Sequence, residues 1–317
     1  MLTLFPWQED PWRRLPHNRA LAHALLISGP RGIGKTVFAH RLGTRLVCGQ
    51  DQACGICRSC VFANKGDHPD ILVIKAEEGK AEITVDHVRE LNAFFALTPH
   101  LATRRVSVIE AADQLNRSAA NALLKTLEEP PAESFLLLVS HAPARLLPTI
   151  RSRCQQLHLR KPSHTEALDY LKARGVSEAG AALKIAHGAP LRAEALPKDA
   201  LDTAFRLLET LENLVKGVLD AATAGEGWQN LDLAYGLSLF TGILADIARL
   251  ATVGTLSEPF SIDWQTRLRR LTSQLDLQQL FALWDEALES YGLADAPLDR
   301  RLIWDKLFLR FEQLRAQ

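Results

Sequence analysis

One segment of the chain has the residue types and the spacing that phosphate binding requires. Residues 29–36 read GPRGIGKT and match the pattern G-x-x-x-x-G-K-[ST] at every fixed position. Gly29, Gly32 and Gly34 let the backbone turn so that its N–H groups face phosphate oxygens, and the helix that follows adds its positive end. Lys35 brings a charge to the terminal phosphates, and the hydroxyl of Thr36 is placed to bind Mg²⁺. The segment predicts a site for ATP with Mg²⁺; the alternative is a strand–helix turn with an unused lysine.

A second segment decides whether a bound nucleotide could be hydrolysed. An ATPase of this kind needs a strand that ends in an acidic pair, whose first carboxylate helps to hold Mg²⁺. The candidate strand reads VSVIEA over 106–111, which puts Glu110 at the first position and Ala111 at the second. A methyl group cannot orient or activate an attacking water. We therefore expect nucleotide binding without efficient hydrolysis; the alternative for Glu110 is a solvated carboxylate at a strand end.

The cysteines are clustered. Four of the five lie within thirteen residues in the spacing C-x5-C-x2-C-x2-C, namely Cys48, Cys54, Cys57 and Cys60. Two C-x-x-C steps bring three thiolates onto one tight turn, and Cys48 can close a tetrahedron around a metal. Four thiolates at ~2.3 Å suit a structural Zn²⁺ with no open position. The competing predictions are an iron–sulfur cluster, whose usual bacterial ferredoxin spacing is not matched, and free thiols.

The elements that must position these residues change character near residue 160. Up to that point short apolar runs alternate with amphipathic segments, beginning with the run ALLIS at 24–28. Strands alternating with helices predict a parallel sheet covered on both faces, hence an α/β fold. From 161 onward the pattern is helical, with short helices to 198 and longer amphipathic ones beyond, including 201–223 and 297–315. The sequence predicts three domains, at 1–160, 161–198 and 199–317.

Composition excludes several functional classes. The 317 residues include 37 Lys and Arg and 37 Asp and Glu, so the formal net charge is zero. The chain therefore lacks the excess positive charge by which some proteins bind nucleic acid over their whole surface. Basic side chains outnumber acidic ones in the first 160 residues, and acidic ones outnumber basic ones afterwards. If the chain binds a polyanion, we expect the first half to bind it. No apolar run approaches the ~18 residues of a membrane helix. The start MLTLFPWQEDPWRRL has no basic segment followed by an apolar one, so we expect a cytoplasmic protein without membrane contact.

Further motifs resemble one known family. The segment NALLKTLEEPP at 121–131, the segment TIRSRC at 149–154 and the triplet HPD at 68–70 resemble the bacterial DNA polymerase III clamp-loader subunits of the AAA+ superfamily. The phosphate loop and the four-cysteine insert at 48–65 are similar as well. The resemblance implies a P-loop AAA+ domain, a small helical lid domain and an all-helical C-terminal collar domain that serves oligomerisation.

Within this family the chain most resembles the delta-prime class. Motor subunits, called tau or gamma, carry Asp-Glu where this chain has Glu110-Ala111. The resemblance implies a stator that joins tau/gamma and delta subunits in a heteropentamer, which loads the sliding clamp on primed DNA during replication. The chain would then be a subunit of the DNA polymerase III holoenzyme that binds ATP without hydrolysing it efficiently. Two alternatives stay open: the tau/gamma motor or another AAA+ ATPase of DNA metabolism, and a scaffold whose phosphate loop binds nothing.

The resemblance also assigns roles to three residues outside the phosphate loop. Arg153, in the triplet SRC, matches the arginine finger that reaches the ATP site of the neighbouring subunit. Ser140, at the end of an apolar run, matches the γ-phosphate sensor, and Arg192 matches the sensor arginine of the lid domain. Composition alone allows other interpretations, a surface arginine for Arg153 and a helix-start residue for Arg192.

Overall fold

The computed structural model describes residues 3–16, 20–50, 52–77, 80, 82–256, 260–292, 294 and 298–315. Its contacts divide the chain into two compact units, Met1–Glu166 and Ala167–Gln317. The second unit includes most of the predicted lid domain together with the predicted collar domain. Their separation into two domains stays a prediction.

The first unit is built on a parallel sheet. Its five strands are β1 (Ala24–Ser28), β2 (Ile71–Ile74), β3 (Arg105–Ile109), β4 (Ser134–Ser140) and β5 (Gln155–His158). They lie in the order β2-β3-β4-β1-β5, and every neighbouring pair is parallel. Every residue of β1, β3 and β4 is buried, as expected of central strands that are covered by helices on both faces. The predicted α/β fold class is confirmed.

Six helices accompany the sheet among the described residues. They are α1 (Glu9–Arg13), α2 (Lys35–Val47), α3 (Arg58–Lys65), α4 (Val85–Ala96), α5 (Arg117–Glu128) and α6 (Pro148–Arg153). Helix α2 packs Phe38 and Leu42 against one side of the sheet. Helices α4, α5 and α6 contribute Leu91, Leu123 and Ile150 to a separate apolar core. Apolar spacing did not predict α3 or α6, because both are too short to show a periodic pattern.

A buried carboxylate ties two segments of this unit together. The side chain of Asp70, just before β2, accepts hydrogen bonds at 2.6, 2.7 and 2.8 Å from the backbone N–H groups of His100, Leu101 and Ala102. Burial raises the pKa of Asp70, but these three N–H groups outweigh it, so the pKa is lowered overall. The ionised carboxylate therefore holds the segment that leads into β3 against the start of β2.

The second unit is helical. Helix α7 (His164–Ala173) crosses the boundary between the units, and α8 (Ala179–Ile185) and α9 (Pro190–Glu194) follow it. Together they enclose a small core around Leu171 and Leu183. A larger core is formed by α10 (Ala200–Lys216), α11 (Ala221–Trp228), α12 (Leu233–Val253), α13 (Ile262–Thr272), α14 (Leu277–Gly292) and α15 (Arg300–Glu312).

Two predicted helix boundaries in this unit are wrong. The predicted helix at 201–223 is two helices, because Gly217 adopts φ +70° and ends α10. Asp220 then starts α11, its carboxylate accepting from the backbone N–H of Thr223 at 2.9 Å. The predicted helix at 297–315 begins at Arg300 instead, where Asp299 is the N-cap, and Pro297 lies outside the described residues.

Helix α12 departs from the expectation about apolar runs. It has 21 residues and is long and apolar enough to cross a membrane by length and composition. However, 67% of that stretch is buried in the folded chain, and its Asp246 lies 2.7 Å from Nζ of Lys184. A buried core helix meets the same criteria, and α12 supplies many residues of the larger core.

The packing of α12 against α15 gives a stability prediction. A Cβ at Gly236 would lie 2.5 Å from Cζ2 of Trp304, whose side chain is fully buried. We expect Gly236→Ala to lower the free energy of unfolding by about 1–3 kcal/mol, since a packed ring cannot move aside freely. Urea unfolding of the purified chain measures this. Gly227→Ala in α11 is the control, because a Cβ there meets nothing within 4 Å. Equal effects of the two changes would show that the close approach is not what matters.

Candidate functional site

The predicted phosphate loop lies between β1 and α2, at the carboxyl end of β1, which pairs with β4 on one side and β5 on the other. Its three glycines all have positive φ: +147° at Gly29, +73° at Gly32 and +81° at Gly34. A Cβ at Gly29 would lie 2.4 Å from the carbonyl oxygen of Leu159, so no larger residue fits there. The loop therefore has the backbone conformation that a phosphate cradle requires.

Lys35 is buried at the start of α2, and its Nζ donates a hydrogen bond to the Pro30 carbonyl at 2.5 Å. Burial lowers the pKa of Lys35 to about 8, the carboxylate of Asp113 opposes this shift, and Arg31 adds to it. The lysine thus lies across its own loop, where a phosphate would compete with Pro30 for its ammonium group.

The N-terminal segment braces this loop. The Trp7 indole Nε1 donates to the Ile33 carbonyl at 2.9 Å, and the Gln8 amide Nε2 donates to the Gly34 carbonyl at 2.8 Å. Both side chains are buried, and the ring of Phe5 lies 2.4 Å from where a Cβ of Gly34 would be. The sequence analysis missed these residues, since neither a motif nor periodic spacing connects positions 7 and 8 to position 33.

The strand-end carboxylates do not occupy the expected arrangement. Glu110 follows β3, and its Oε1 lies 2.5 Å from Nε2 of His40, a residue of α2. Ala111 adopts the left-handed conformation, with φ 56° and ψ 58°, and its side chain has no oxygen. The acidic group that interacts with Lys35 is Asp113 instead, three residues past Glu110. Sequence reasoning missed Asp113 because it lies beyond the position where the acidic pair was sought.

Asp113 and the end of β4 form a small polar cluster. Burial raises the pKa of Asp113, but the hydroxyl of Ser140 and the backbone N–H of His141 outweigh it, so the pKa is lowered overall. The His141 N–H donates to the carboxylate at 3.0 Å. The fully buried Ser140 hydroxyl lies beside this carboxylate at the end of β4. Its sensor role stays a prediction.

The four clustered cysteines converge on one point. Their sulfur atoms all lie within 4.8 Å of one another, with Cys48–Cys54 at 3.7 Å and Cys48–Cys57 and Cys54–Cys60 at 3.9 Å. A tetrahedron with Zn–S bonds of ~2.3 Å has S···S edges of about 3.8 Å. Burial raises the pKa of the Cys48 thiol, but nearby backbone N–H groups outweigh it and lower the pKa to about 6. The group can therefore hold a metal ion.

Two helices hold this arrangement. Cys48 directly follows α2, and Cys57 is the N-cap of α3, its sulfur accepting from the backbone N–H of Cys60 at 3.4 Å. The fifth cysteine, Cys154, takes no part: it is buried at the end of α6, where burial raises the pKa of its thiol to about 11. The metal-binding group is thus confined to the predicted insert.

Arg153 lies away from the phosphate loop of its own chain. It ends α6, just before the amino end of β5, and β5 runs parallel to β1 with Gln155 opposite Leu25. The phosphate loop begins after the carboxyl end of β1, so the two sites are separated along the strands by roughly 13 Å or more. Arg153 cannot serve the loop of its own chain. Its guanidinium pairs with Glu128 at 2.6 Å and is 37% exposed.

Arg192 lies in the second unit. It belongs to α9, and its guanidinium lies over the ring of Tyr291 at 5.4 Å from the ring centre. Since Pro190 opens this helix, Arg192 is in its first turn. Its role as the sensor arginine of the lid domain stays a prediction.

Known proteins place the chain in a family. A model of the family described as DNA polymerase III, delta subunit, matches residues 8–163. DNA polymerase III subunit delta′ of Pseudomonas aeruginosa is 37% identical over 324 residues, which cover 99% of this chain and 99% of that protein. The chain belongs to the DNA polymerase III subunit delta′ family.

Relatives named tau/gamma or tau match a shorter part of the delta′-family chain in sequence. DNA polymerase III subunit tau/gamma of Haemophilus influenzae is 37% identical over 160 residues, 50% of this chain and 23% of that protein. A solved gamma-subunit-related protein of Thermotoga maritima covers 98% of this chain and 99% of its own, at a TM-score of 0.46 and 18% identity. The partial tau/gamma match does not favour the alternative of a tau/gamma subunit, and the delta′ relatives confirm the predicted resemblance to DNA polymerase III subunits.

The cysteine group of this delta′-family chain gives a prediction. We expect Cys57→Ser to lower the metal content per chain and the melting temperature, because a structural metal site contributes directly to folding. Elemental analysis and thermal unfolding of the purified chain measure both. Ile56→Ser is the matched control, since this neighbour is 82% exposed. The expectation would be contradicted if the wild-type chain purified without metal and Cys57→Ser had the same melting temperature as wild type.

Proposed function

We propose that this delta′-family chain is the stator of the clamp loader and completes the ATP site of a neighbouring motor subunit with Arg153. The observation that carries the proposal is the position of Arg153 at the opposite end of the strands from its own phosphate loop. Because Arg153 is partly exposed and lies far from its own loop, the nucleotide that it would serve belongs to another chain. An arginine finger supplied in trans stabilises charge on the transferred phosphoryl group.

The pair Arg153–Glu128 supports this role. Glu128 ends α5, in the segment NALLKTLEEPP, and its carboxylate holds the guanidinium at 2.6 Å. Ser152 Oγ and Arg153 both donate to the Thr149 carbonyl at 3.1 Å. These contacts hold the arginine at the surface, where a phosphate of the neighbouring subunit could compete with the carboxylate of Glu128 for it.

Its own phosphate loop binds nucleotide in this proposal but does not turn it over. Gly29, Gly32, Gly34, Lys35 and Thr36 form the loop, with the Ser140 hydroxyl at the neighbouring strand end. The absence of a carboxylate at Ala111 removes the group that would activate water. The site would therefore be a resident nucleotide site of a subunit that does not act as a motor.

The partners follow from the family. The relatives include subunits named tau/gamma, so we propose a complex with these and with delta in a five-membered ring. The ring would open the sliding clamp and place it on primed DNA in the cytoplasm. The helices of 199–317 would form the collar and 161–198 the lid, with Arg192 as its sensor arginine. Zero net charge fits a subunit that contacts DNA through the assembled ring.

For the four cysteines we propose Zn²⁺. The sulfur separations of 3.7 and 3.9 Å fit the tetrahedral edge, and four thiolates leave no open position for chemistry. Cys48 and Cys57 are attached to α2 and α3, so the ion would link the helix after the phosphate loop to the insert. Its contribution is to folding.

Arg153→Ala tests the stator proposal in the reconstituted loader. We expect turnover at the one motor site that it faces to fall by about 10³-fold or more, with assembly intact, because the transition-state charge loses its partner. Clamp- and DNA-stimulated ATP hydrolysis measures this, and size-exclusion chromatography checks assembly. Arg89→Ala in α4, an arginine that is 73% exposed, is the control. Unchanged turnover in an intact complex would falsify the proposal.

Lys35→Ala tests the nucleotide site separately. We expect the affinity of the isolated chain for ATP to fall by at least about tenfold, since the loop loses its charge for the terminal phosphates. Isothermal titration with ATP measures it, and Lys65→Ala, at the end of α3, is the control. If wild-type and Lys35→Ala chains bind ATP equally, the loop is not a nucleotide site and the scaffold alternative gains.

A further inference from the structure

A histidine stands beside the carboxylate that should help to hold a metal. Thr36 and His40 are four residues apart in α2, so they share one face of the helix, one turn apart. The Nε2 atom of His40 lies 2.5 Å from Oε1 of Glu110, and the side chains are 24% and 27% exposed. This face of α2 is therefore directed at the end of β3.

The residues around this point do not fit Mg²⁺. That ion requires a near-octahedral set of oxygen ligands and usually takes a protein carboxylate. Glu110 already shares its Oε1 with the imidazole, and Ala111 has no side-chain oxygen. The carboxylate of Asp113 accepts from the His141 N–H and interacts with Lys35. The imidazole of His40 thus already occupies one of the carboxylate oxygens that a hard cation would use.

The contact has an electrostatic consequence for a bound nucleotide. A carboxylate at the edge of a phosphate site repels the phosphates unless something compensates its charge. In an Mg²⁺-dependent site the cation does so, bridging the β- and γ-oxygens and neutralising charge. Here Nε2–H of His40 donates to Glu110, so the carboxylate is stabilised by a hydrogen bond within the chain rather than by a cation.

We propose that the phosphate loop of this chain binds ATP without a divalent cation, and that His40 is the residue that makes this possible by engaging Glu110. The inference rests on the proposed function of the loop as a nucleotide site. In this proposal His40 is a positioning residue that acts through Glu110. The site would then differ from the nucleotide site of a motor subunit, which requires Mg²⁺.

The test compares ATP binding by the purified full chain with and without Mg²⁺. The cation is left out rather than chelated, so that a metal on the four cysteines stays in place. We expect the wild-type Kd to change by less than about threefold between the two conditions. For His40→Ala we expect Mg²⁺-free binding to weaken by about tenfold and added Mg²⁺ to recover it, because Glu110 is then unpaired.

A double variant keeps the test specific. Glu110→Gln in the His40→Ala background removes the carboxylate charge, so Mg²⁺-free binding should return to within about threefold of wild type. A purely structural role of His40 predicts no such recovery. Circular dichroism checks that the variants stay folded.

The outcomes are distinguishable. Wild-type binding that tightens by about tenfold or more on adding Mg²⁺ overturns this inference and leaves the nucleotide site of the proposed function intact. Failure of the double variant to recover overturns it as well. If wild-type chain binds no ATP in either condition, the nucleotide site and this inference both fail, whereas the Arg153 experiment in the assembled loader still decides the stator proposal.

Discussion

The parallel pairing of β1 with β4 and β5 is the constraint on which both ends of the first unit depend. Parallel register puts the carboxyl ends of β1, β3 and β4 together, and with them the phosphate loop, Glu110 and Ser140. The same register puts the end of α6, and so Arg153, at the amino end of β5. The sheet thus separates the phosphate loop from Arg153, which lie at opposite ends of the strands.

Three charged side chains at the carboxyl ends of the strands have hydrogen-bond partners within the chain. Lys35 lies on the Pro30 carbonyl, Asp113 accepts from His141, and Glu110 is bonded to His40. Buried or half-buried ionic groups must be paired, because desolvation penalises each one that is not.

The larger hydrophobic core of the second unit explains the apolar character of helix α12. Helix α12 is buried over most of its length and contributes Leu237, Phe240 and Leu244 to a core shared with α10 and α15. Its length and composition resemble those of a membrane helix because a central helix of a bundle meets apolar neighbours on every side. Burial among other helices, rather than composition, distinguishes the two.

Local patterns in the sequence determined much of this protein. Strands β1 to β4, the phosphate loop and the cysteine group follow from apolar runs, glycine spacing and C-x-x-C steps, because each depends on residues close together in the chain. The end of α10 at Gly217 could have been predicted from this glycine and the capping residue Asp220 that follows it. The apolar spacing continues across both residues, and it led to the prediction of a single helix.

Tertiary structure alone decided which distant residues meet. The bracing of the loop by Trp7 and Gln8, the approach of Asp113 to Lys35 and the bond between His40 and Glu110 join positions 25 or more residues apart. Such pairs are set by strand order and by helix packing on the sheet, which no local pattern encodes. The sequence therefore determined the kinds of sites in this protein, and the packing of the sheet decided which groups complete them.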